Sequence, residues 1–430
     1  MNFVHRSIAF CSIASLLLAG CANVSPQPSP QATSPIRVNP THPQIPNRTF
    51  NLKDFGGNGD GKTWNTDVFT KAFAEIGKQG GGRLVVPAGT YRTKPIVLVS
   101  NLDLHLDAGA VILAPGTFTD YDLPEPETLK TQQDVQSRVR APAPLITGRN
   151  LHDVAITGEG AVDGNGAIWW AWSERAARAQ PGRLVYPRPN LVSITECQRL
   201  LVQDVTFRDS PKFHLVPNAS DLLIERIKVR APANAPNTDA IDPTSCANML
   251  IRDCDLDTGD DNVAIKTGGT NLLIEDCNIK RGHGISIGSG TTGGISNMLV
   301  RHCTFDGTDN GIRIKSMRGA GGLVENIRFT DITMNNVANA IVLDLLYVDN
   351  NRPNFVGDPT KVPSIHNVLI DHVNIRSAKS AGKFVGLPDS HITDITLRDV
   401  QINADKDFVI KDADKITFER VNKQIKTVTP

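Results

Sequence analysis

A short sequence frame recurs along most of the chain and constrains its fold more than any other feature. Each copy begins at an anchor that is usually Asn or Asp, and apolar residues stand one, three, six and eight positions after it. Apolar residues therefore alternate with other residues on each side of a one-residue break. This pattern predicts two short strands that meet at a bend, with the four apolar side chains directed inward. The anchors are Arg199, Asp221, Asn248, Asn271, Asn297, Asn326, Asn367 and Asp394.

The spacing of the frame predicts the architecture. Consecutive anchors from Arg199 to Asn326 lie 22 to 29 residues apart, which is too short for separate domains but fits one coil of a solenoid. Strands of successive coils would stack in parallel about 4.8 Å apart, and the crossover rule favours right-handed winding. We therefore predict an all-β fold, a single-stranded right-handed parallel β-helix, over residues 49–430.

A helical segment precedes the first coils. Residues 65–78 place Val68, Phe69, Ala72, Phe73 and Ile76 on one stripe, and three glycines follow. We predict an N-terminal capping helix that covers the open end of the β-helix and blunts its exposed strand edges.

The N-terminus indicates export. His5 and Arg6 precede an apolar run from Ile8 to Leu18, so residues 1–20 read as a signal peptide that is too short for a permanent membrane span. The sequence ending at Cys21 resembles a bacterial lipobox, in which Cys21 carries the lipid anchor; plain secretory cleavage is the alternative. Residues 21–48 are rich in proline and predict an extended tether, or a disordered N-terminus without a role. We expect a secreted protein or a bacterial outer-membrane lipoprotein.

Composition and two local motifs exclude several ligands. Lys plus Arg and Asp plus Glu both total 45, so the chain has no overall basic field and we expect no nucleic-acid partner. Residues 56–63 match a phosphate-binding loop, but no series of βαβ units follows, and a glycine-rich turn explains them. Asp253, Asp255 and Asp257 resemble the start of a calcium loop, yet Thr258 and Ala264 stand where that loop needs Gly and Glu.

The frame also predicts the environment of the cysteines. Cys254, Cys277 and Cys303 occupy the sixth position, which is apolar in the other copies. We expect buried thiols that act as small hydrophobic residues. The sequence assigns no pairing to Cys197 and Cys246.

Acidic and basic residues gather in the segment from Asn237 to Lys315. Superposing the first apolar residue of four short strands places Asp239, Asp261 and His283 in one column on three successive coils, with Asp260 adjacent. The superposed apolar residues are Ile241, Val263, Ile285 and Ile312. By the same alternation Lys266, Ser286, Arg313 and Lys315 point outward, so one face combines carboxylates, an imidazole and cations.

This combination points to a chemistry. Three neighbouring carboxylates cannot all keep ordinary pKa values, because like charges disfavour mutual ionisation. One that holds a proton can donate it to a leaving oxygen while another activates water, which is the requirement of glycoside hydrolysis. The adjacent cations would suit an anionic sugar. Structural ion pairs on a solenoid surface are the alternative interpretation.

The motifs Asn237-Thr238-Asp239, Gly259-Asp260-Asp261, Gly282-His283-Gly284 and Arg313-Ile314-Lys315 occur in this order. Together they resemble the polygalacturonases of glycoside hydrolase family 28, over about residues 50 to 420. The resemblance implies hydrolysis of α-1,4-galacturonosidic bonds with inversion, in plant cell-wall pectin degradation. It implies no metal or other cofactor, and we expect a monomer.

The resemblance also implies residue roles. Asp260 would be the general acid, Asp239 and Asp261 would activate the water, and His283 would support the protonation of Asp260. The predicted substrate-binding residues are Asn237, Lys266, Arg313, Lys315 and Tyr347. Because both Arg313 and Lys315 are present, we expect galacturonate at the cleavage subsite, hence pectate (homogalacturonan) as the substrate.

Three questions stay open at the level of sequence. A pectate lyase shares the substrate and the β-helix but needs calcium and a base that abstracts a proton from carbon. A non-catalytic carbohydrate-binding solenoid is the second alternative. Endo or exo cleavage depends on loops at the ends of the groove, for which the candidates are residues 116–144, 165–190 and 349–363.

Overall fold

The fold is a coil of short parallel strands. The structure is a computed structural model that describes residues 36–348 and 356–426. Thirty strands pair as one continuous sheet. The strands are β1 Thr49–Asn51, β2 Asp60–Trp64, β3 Gly82–Val86, β4 Gly89–Arg92, β5 Ile96–Val97, β6 Leu102–Leu106, β7 Ala110–Leu113, β8 Ile146–Arg149, β9 His152–Thr157, β10 Ala161–Asp163, β11 Val192–Gln203, β12 Thr206–Arg208, β13 Leu215–Glu225, β14 Lys228–Arg230, β15 Thr244–Arg252, β16 Asp255–Thr258, β17 Val263–Glu275, β18 Asn278–Arg281, β19 Ile285–Ile287, β20 Gly294–Arg301, β21 Thr304–Asp306, β22 Asn310–Lys315, β23 Leu323–Asn335, β24 Val337–Asp344, β25 Ser364–Val385, β26 Ile392–Arg398, β27 Gln401–Lys406, β28 Val409–Lys411, β29 Ala413–Glu419 and β30 Asn422–Ile425.

A few helices accompany the strands in the described part of the chain. The α-helices are α1 Thr66–Lys78, α2 Gln132–Arg138, α3 Ala167–Trp170 and α4 Glu174–Ala179. Short 3₁₀ helices span Leu52–Phe55, Thr119–Tyr121 and Pro126–Thr128. In the described part of the chain, no helix combines the length and apolar character needed to cross a membrane.

The strands stack on three faces. On the first face β13, β15, β17 and β20 pair in that order, and on the second β14, β16, β18 and β21 do so. On the third face β17, β19, β22, β24 and β25 follow one another. All of these pairings are parallel, and the predicted right-handed parallel β-helix is confirmed.

The anchors of the frame are bends. Asn248 and Asn271 have φ values of 49° and 56°, and Asp253 and Asp276, five residues later, have φ values of 54° and 55°. Short polar side chains tolerate this left-handed conformation better than other non-glycine residues. The Asn271 amide also donates to the Asn248 side-chain oxygen across 3.3 Å. The anchors therefore serve both as turns and as rungs of a side-chain ladder.

The core lies inside the coil at the predicted columns. Met249, Ile251, Cys254 and Leu256 are buried, as are the matching residues of the neighbouring copies. Burying an aliphatic side chain of this size contributes about 1.5–3 kcal/mol, so the stacked columns hold successive coils together. The predicted buried thiols are confirmed, and all five cysteines of the described chain are free, Cys197 and Cys246 included.

The predicted helix is present at the N-terminal end. Helix α1 buries Phe69, Ala72, Phe73 and Ile76 and contacts β3, β5 and β6. Its apolar stripe therefore packs on the first coils as the periodicity indicates, and its function as a cap stays a prediction.

The described part of the proline-rich segment differs from the free spacer that the sequence predicts. Val38 packs against a small apolar cluster of Leu223, Leu250 and Leu273 that is separate from the main core. The Gln44 backbone amide donates a hydrogen bond to Asp153 across 2.7 Å. Residues 36–48 therefore lie along the solenoid, because these contacts offset the conformational entropy that the segment loses when it is ordered. The predicted signal peptide, Cys21 and residues 21–35 lie outside the described residues.

Candidate active site

The column predicted from the frame exists on the third face. Ile241 pairs with Val263, Val263 with Ile285, and Ile285 with Ile312. These are the residues that the frame superposes. Asp239, Asp261 and His283 each stand two residues before one of them, and so occupy equivalent positions on three successive coils.

The predicted site residues line one cleft of about 640 Å³. The cleft brings all of them together, although they come from five segments of the chain. They are Asn237, Asp239, Asp260, Asp261, Lys266, His283, Arg313, Lys315 and Tyr347.

Asp261 lies at the buried centre of the charged cluster. One of its oxygens accepts hydrogen bonds from Arg313 and from the Ser286 hydroxyl, the latter at 3.0 Å. The other accepts from the Lys315 ammonium at 2.9 Å. Burial raises the pKa of Asp261, but the charges of Arg313, Lys315 and His283 outweigh it and hold the pKa well below its ordinary value. Asp261 is therefore ionised, and Ser286, which the alternation predicts to point outward, is fully buried beneath it.

Asp260 and His283 form a hydrogen-bonded ion pair. His283 Nδ1 lies 2.9 Å from Asp260 Oδ1, and Nε2 lies 3.1 Å from Asp309 Oδ2. Burial lowers the pKa of His283, but the hydrogen bonds to Asp260 and Asp309 raise it overall to about 9. The imidazole is therefore charged at neutral pH.

The same pair determines the state of Asp260. Burial raises the pKa of Asp260, whereas the hydrogen bond and charge of His283 lower it below its ordinary value. Arg175 lies 3.3 Å from its second oxygen. Asp260 is thus held ionised, which is opposite to the expectation that His283 supports its protonation.

Asp239 belongs to a second charged group. The Lys266 ammonium lies 3.1 Å from Asp239 Oδ2 and also contacts Asp242. The remaining oxygens, Asp239 Oδ1 and Asp242 Oδ1, are buried and have no hydrogen-bond partner among the described residues. Burial and the charge of Asp242 raise the pKa of Asp239 well above its ordinary value. Asp239 is therefore the carboxyl group of the site that holds a proton.

Tyr347 and Asn237, the other predicted binding residues, also have partners within the protein. The Lys315 ammonium lies 5.2 Å from the centre of the Tyr347 ring, a distance that permits a cation–π contact. Asn237 adopts a φ of 56°, and its side-chain oxygen accepts a hydrogen bond from Arg188 at 2.7 Å. Asn237 therefore shapes the edge of the cleft through Arg188.

The frame did not predict several cleft residues. Arg175 and Arg178 lie on α4, and Lys212 lies beside Phe213. Helix α4 belongs to an insertion that contains Trp169, which is fully buried in a second, smaller core. The insertion does not contain the repeat, so the frame cannot predict its position. The only sequence signal is its high content of tryptophan and arginine, which indicates a packed and charged element.

The charged state of His283 predicts a pH-dependent stability. Because its pKa rises from 6.5 to about 9 on folding, its stabilising contribution is complete below pH 6.5 and is lost as the pH rises through about 9. We expect His283→Gln to lower the Tm most below pH 6.5, and the difference from the wild type to shrink above about pH 9. Thermal denaturation across this range measures the effect. His366→Gln, at a half-exposed histidine, is the matched control; an equal loss at every pH would contradict the assignment.

The chain matches known proteins over most of its length. The model of glycosyl hydrolases family 28 matches residues 83–420. A probable polygalacturonase of Vitis vinifera is 32% identical over 372 residues, which are 82% of this chain and 74% of the relative. An endo-polygalacturonase of Pectobacterium carotovorum subsp. carotovorum is 28% identical over 80% of this chain and 86% of the relative.

Solved structures agree with these sequence matches. The crystal structure of a hyperthermoactive exopolygalacturonase from Thermotoga maritima superposes with a TM-score of 0.74 and 29% identity, over 90% of this chain and 94% of that one. The family model covers well over half of the chain, and it coincides with the coils that build the cleft. The chain therefore belongs to glycosyl hydrolases family 28 and is a glycosidase.

Proposed function

We propose that the protein hydrolyses α-1,4-galacturonosidic bonds in polygalacturonan, with inversion of configuration, and so degrades plant cell-wall pectin. The observation that carries this proposal is the cleft in which Asp239, Asp260 and Asp261 face Arg313 and Lys315. Carboxylates supply the acid and base of glycoside hydrolysis, and the cations select a sugar that carries a carboxylate. The printed names of the relatives, polygalacturonases, support the same substrate.

Asp260 acts as the general acid after substrate binds. Before substrate binds, His283 carries the proton and donates a hydrogen bond to ionised Asp260 across 2.9 Å. A bound galacturonate brings a negative charge that competes for Arg175 and raises the proton affinity of Asp260. The proton of His283 then moves to Asp260 and from there to the leaving glycosidic oxygen. The charge of the substrate thus offsets the effect of His283, which lowers the pKa of Asp260.

Asp261 acts as the base. It stays ionised and accepts a proton from the attacking water. The raised pKa of Asp239 on the preceding coil is opposite to the expectation that Asp239 also acts as a base, so we assign that role to Asp261 alone. The nearest oxygens of Asp260 and Asp261 lie within 4.8 Å, nearer to the carboxyl spacing of retaining enzymes than to the roughly 6.5–9.5 Å of inverting ones. We base inversion instead on the resemblance of the four site motifs to family 28. Hydrogen bonds from Ser286, Arg313 and Lys315 reach both oxygens of Asp261 and hold this base in place.

Arg313 and Lys315 bind the substrate carboxylate at the cleavage subsite. Both cations already touch Asp261, so they link the base to the substrate. Arginine has five donors and can serve both partners at once. A methyl ester removes the negative charge, and we therefore assign pectate rather than fully esterified pectin as the substrate.

Elimination by a pectate lyase is the main competing reaction, and metal dependence separates the two. Asp260, Asp261 and His283 could together ligate a cation, but calcium prefers six to eight oxygens, and here the carboxylates contact His283, Arg313 and Lys315. We expect hydrolysis to continue in excess chelator, with new reducing ends and no ultraviolet-absorbing products. Reducing-end assays and absorbance, each with and without chelator, measure this. Chelator-sensitive activity restored by calcium, with absorbing products, would contradict the proposal.

We also propose that the protein is exported and acts as a monomer, either secreted or held at a bacterial outer membrane through lipidated Cys21. The signal-like residues 1–20 and the lipobox-like sequence before Cys21 support this location.

A further inference from the structure

The catalytic cleft continues onto the next coils of the third face. A second cavity of about 710 Å³ shares Arg313, Lys315 and Tyr347 with the cleft. Its other walls come from β24, β25, β27 and β28, which are the coils that follow the catalytic one. The two cavities are therefore parts of one groove that runs along the stack.

The strand register places cations along this groove. Arg313 pairs with Val342, Val342 with Lys383, and Lys383 with Val409. Lys383 thus stands in the column of Arg313, two coils further on, at a distance of about 10 Å. Lys406 occupies the parallel column that begins at Asn310 and passes through Asn339 and Ser380, and Lys379 precedes Ser380.

The groove carries an excess of positive charge. Lys379 and Lys406 are exposed and Lys383 is half-buried, and all three line the cavity. Of the two carboxylates that also line it, Asp344 contacts Lys383 and Asp405 contacts Lys426. Lys379 and Lys406 therefore supply the excess charge, and Lys383 would share its ammonium between Asp344 and a ligand. The cavity therefore offers ammonium groups to an incoming polyanion.

We propose that Lys379, Lys383 and Lys406, which we call the lysine groove, bind galacturonate units that extend from the cleavage subsite toward the C-terminal coils. The coil spacing of about 4.8 Å is comparable with the length of one sugar ring. A chain anchored at Arg313 and aligned with the stack therefore presents further carboxylates to Lys383 and its neighbours. This inference rests on the proposed function, and it predicts that affinity grows with substrate length.

The inference is tested by measuring how oligogalacturonates bind to a variant that does not cleave them. In Asp260→Asn protein, the triple change Lys379→Ala, Lys383→Ala and Lys406→Ala is expected to weaken binding of a decamer about tenfold, since each partly exposed ion pair contributes modestly. Binding of a dimer, which extends about one coil beyond Arg313 and so does not reach Lys383, should weaken far less. Calorimetric titration measures both. The matched control, Lys71→Ala, Lys78→Ala and Lys228→Ala, removes as many exposed lysines from other faces and should leave decamer binding as it was.

The outcomes are distinct. An equal loss for dimer and decamer, or no loss for the decamer, would overturn the lysine groove while the proposed function stands. If unsubstituted protein hydrolyses neither oligomer but binds the decamer through these lysines, the proposed function fails and the groove remains. If neither oligomer binds or is cleaved, both are wrong.

Discussion

Replacing Asp260 with asparagine should reduce kcat on polygalacturonate by about a thousandfold, within the range that proton transfer by a positioned side chain contributes. Asparagine keeps the size and the hydrogen-bond contact to His283 but has no proton to deliver to the leaving oxygen. Substrate binding should persist, because the cations assigned to the substrate carboxylate are on another strand, β22. Steady-state rates and calorimetric binding of the same oligomer separate these two effects.

Asp309 provides the matched control for Asp260. It contacts the other nitrogen of His283 at 3.1 Å, but its side chain is mostly exposed and has no assigned role in proton delivery. We expect Asp309→Asn to change kcat by no more than about tenfold, as for the loss of one exposed ion pair. Turnover by Asp260→Asn at the wild-type rate would remove Asp260 from the role of acid.

Replacing Lys315 with alanine should lower kcat/KM on pectate by about a hundredfold or more, through both KM and kcat. Lys315 is buried, and its ammonium lies 2.9 Å from Asp261. Truncating one partner of a buried charge pair costs about 2–5 kcal/mol. The substrate carboxylate loses a cation, which raises KM, and the pKa of Asp261 rises toward its ordinary value or above, which lowers the ionised fraction and hence kcat at acidic pH.

The control for Lys315 removes a lysine from another face. Lys280→Ala deletes a half-exposed lysine that lies 3.2 Å from Asp255, away from the cleft, and its kinetics should match the wild type. Initial rates over a range of pectate concentrations and pH values measure both variants. Cleavage of fully methyl-esterified pectin as fast as pectate would contradict the assigned role of Lys315.

The sequence was sufficient to predict the register of the coils. Once Val263 and Ile285 are assigned to one inward column, the strand register also determines the relative positions of Asp261 and His283. A shift of the register by one residue would turn the apolar side chains outward. The four motifs therefore came together in one cleft as expected. This success depends on the repeat, which converts separations in sequence into positions in space.

The ionisation states could not be predicted in the same way. They depend on distances of a few ångströms and on burial, as at Asp239, where burial and the neighbouring charge of Asp242 together raise the pKa. Arg175 reaches Asp260 from an insertion that no repeat positions. The packing of residues 36–48 against the outside of the β-helix could not be predicted either. A proline-rich composition indicates an extended chain but does not indicate the surface on which that chain lies.

Proton NMR of the first products released from polygalacturonate tests the central claim most directly. Hydrolysis with inversion predicts saturated galacturonate products whose new reducing ends appear first as the β-anomer and then mutarotate. Release of unsaturated products, or binding of polygalacturonate without any cleavage, would contradict the account.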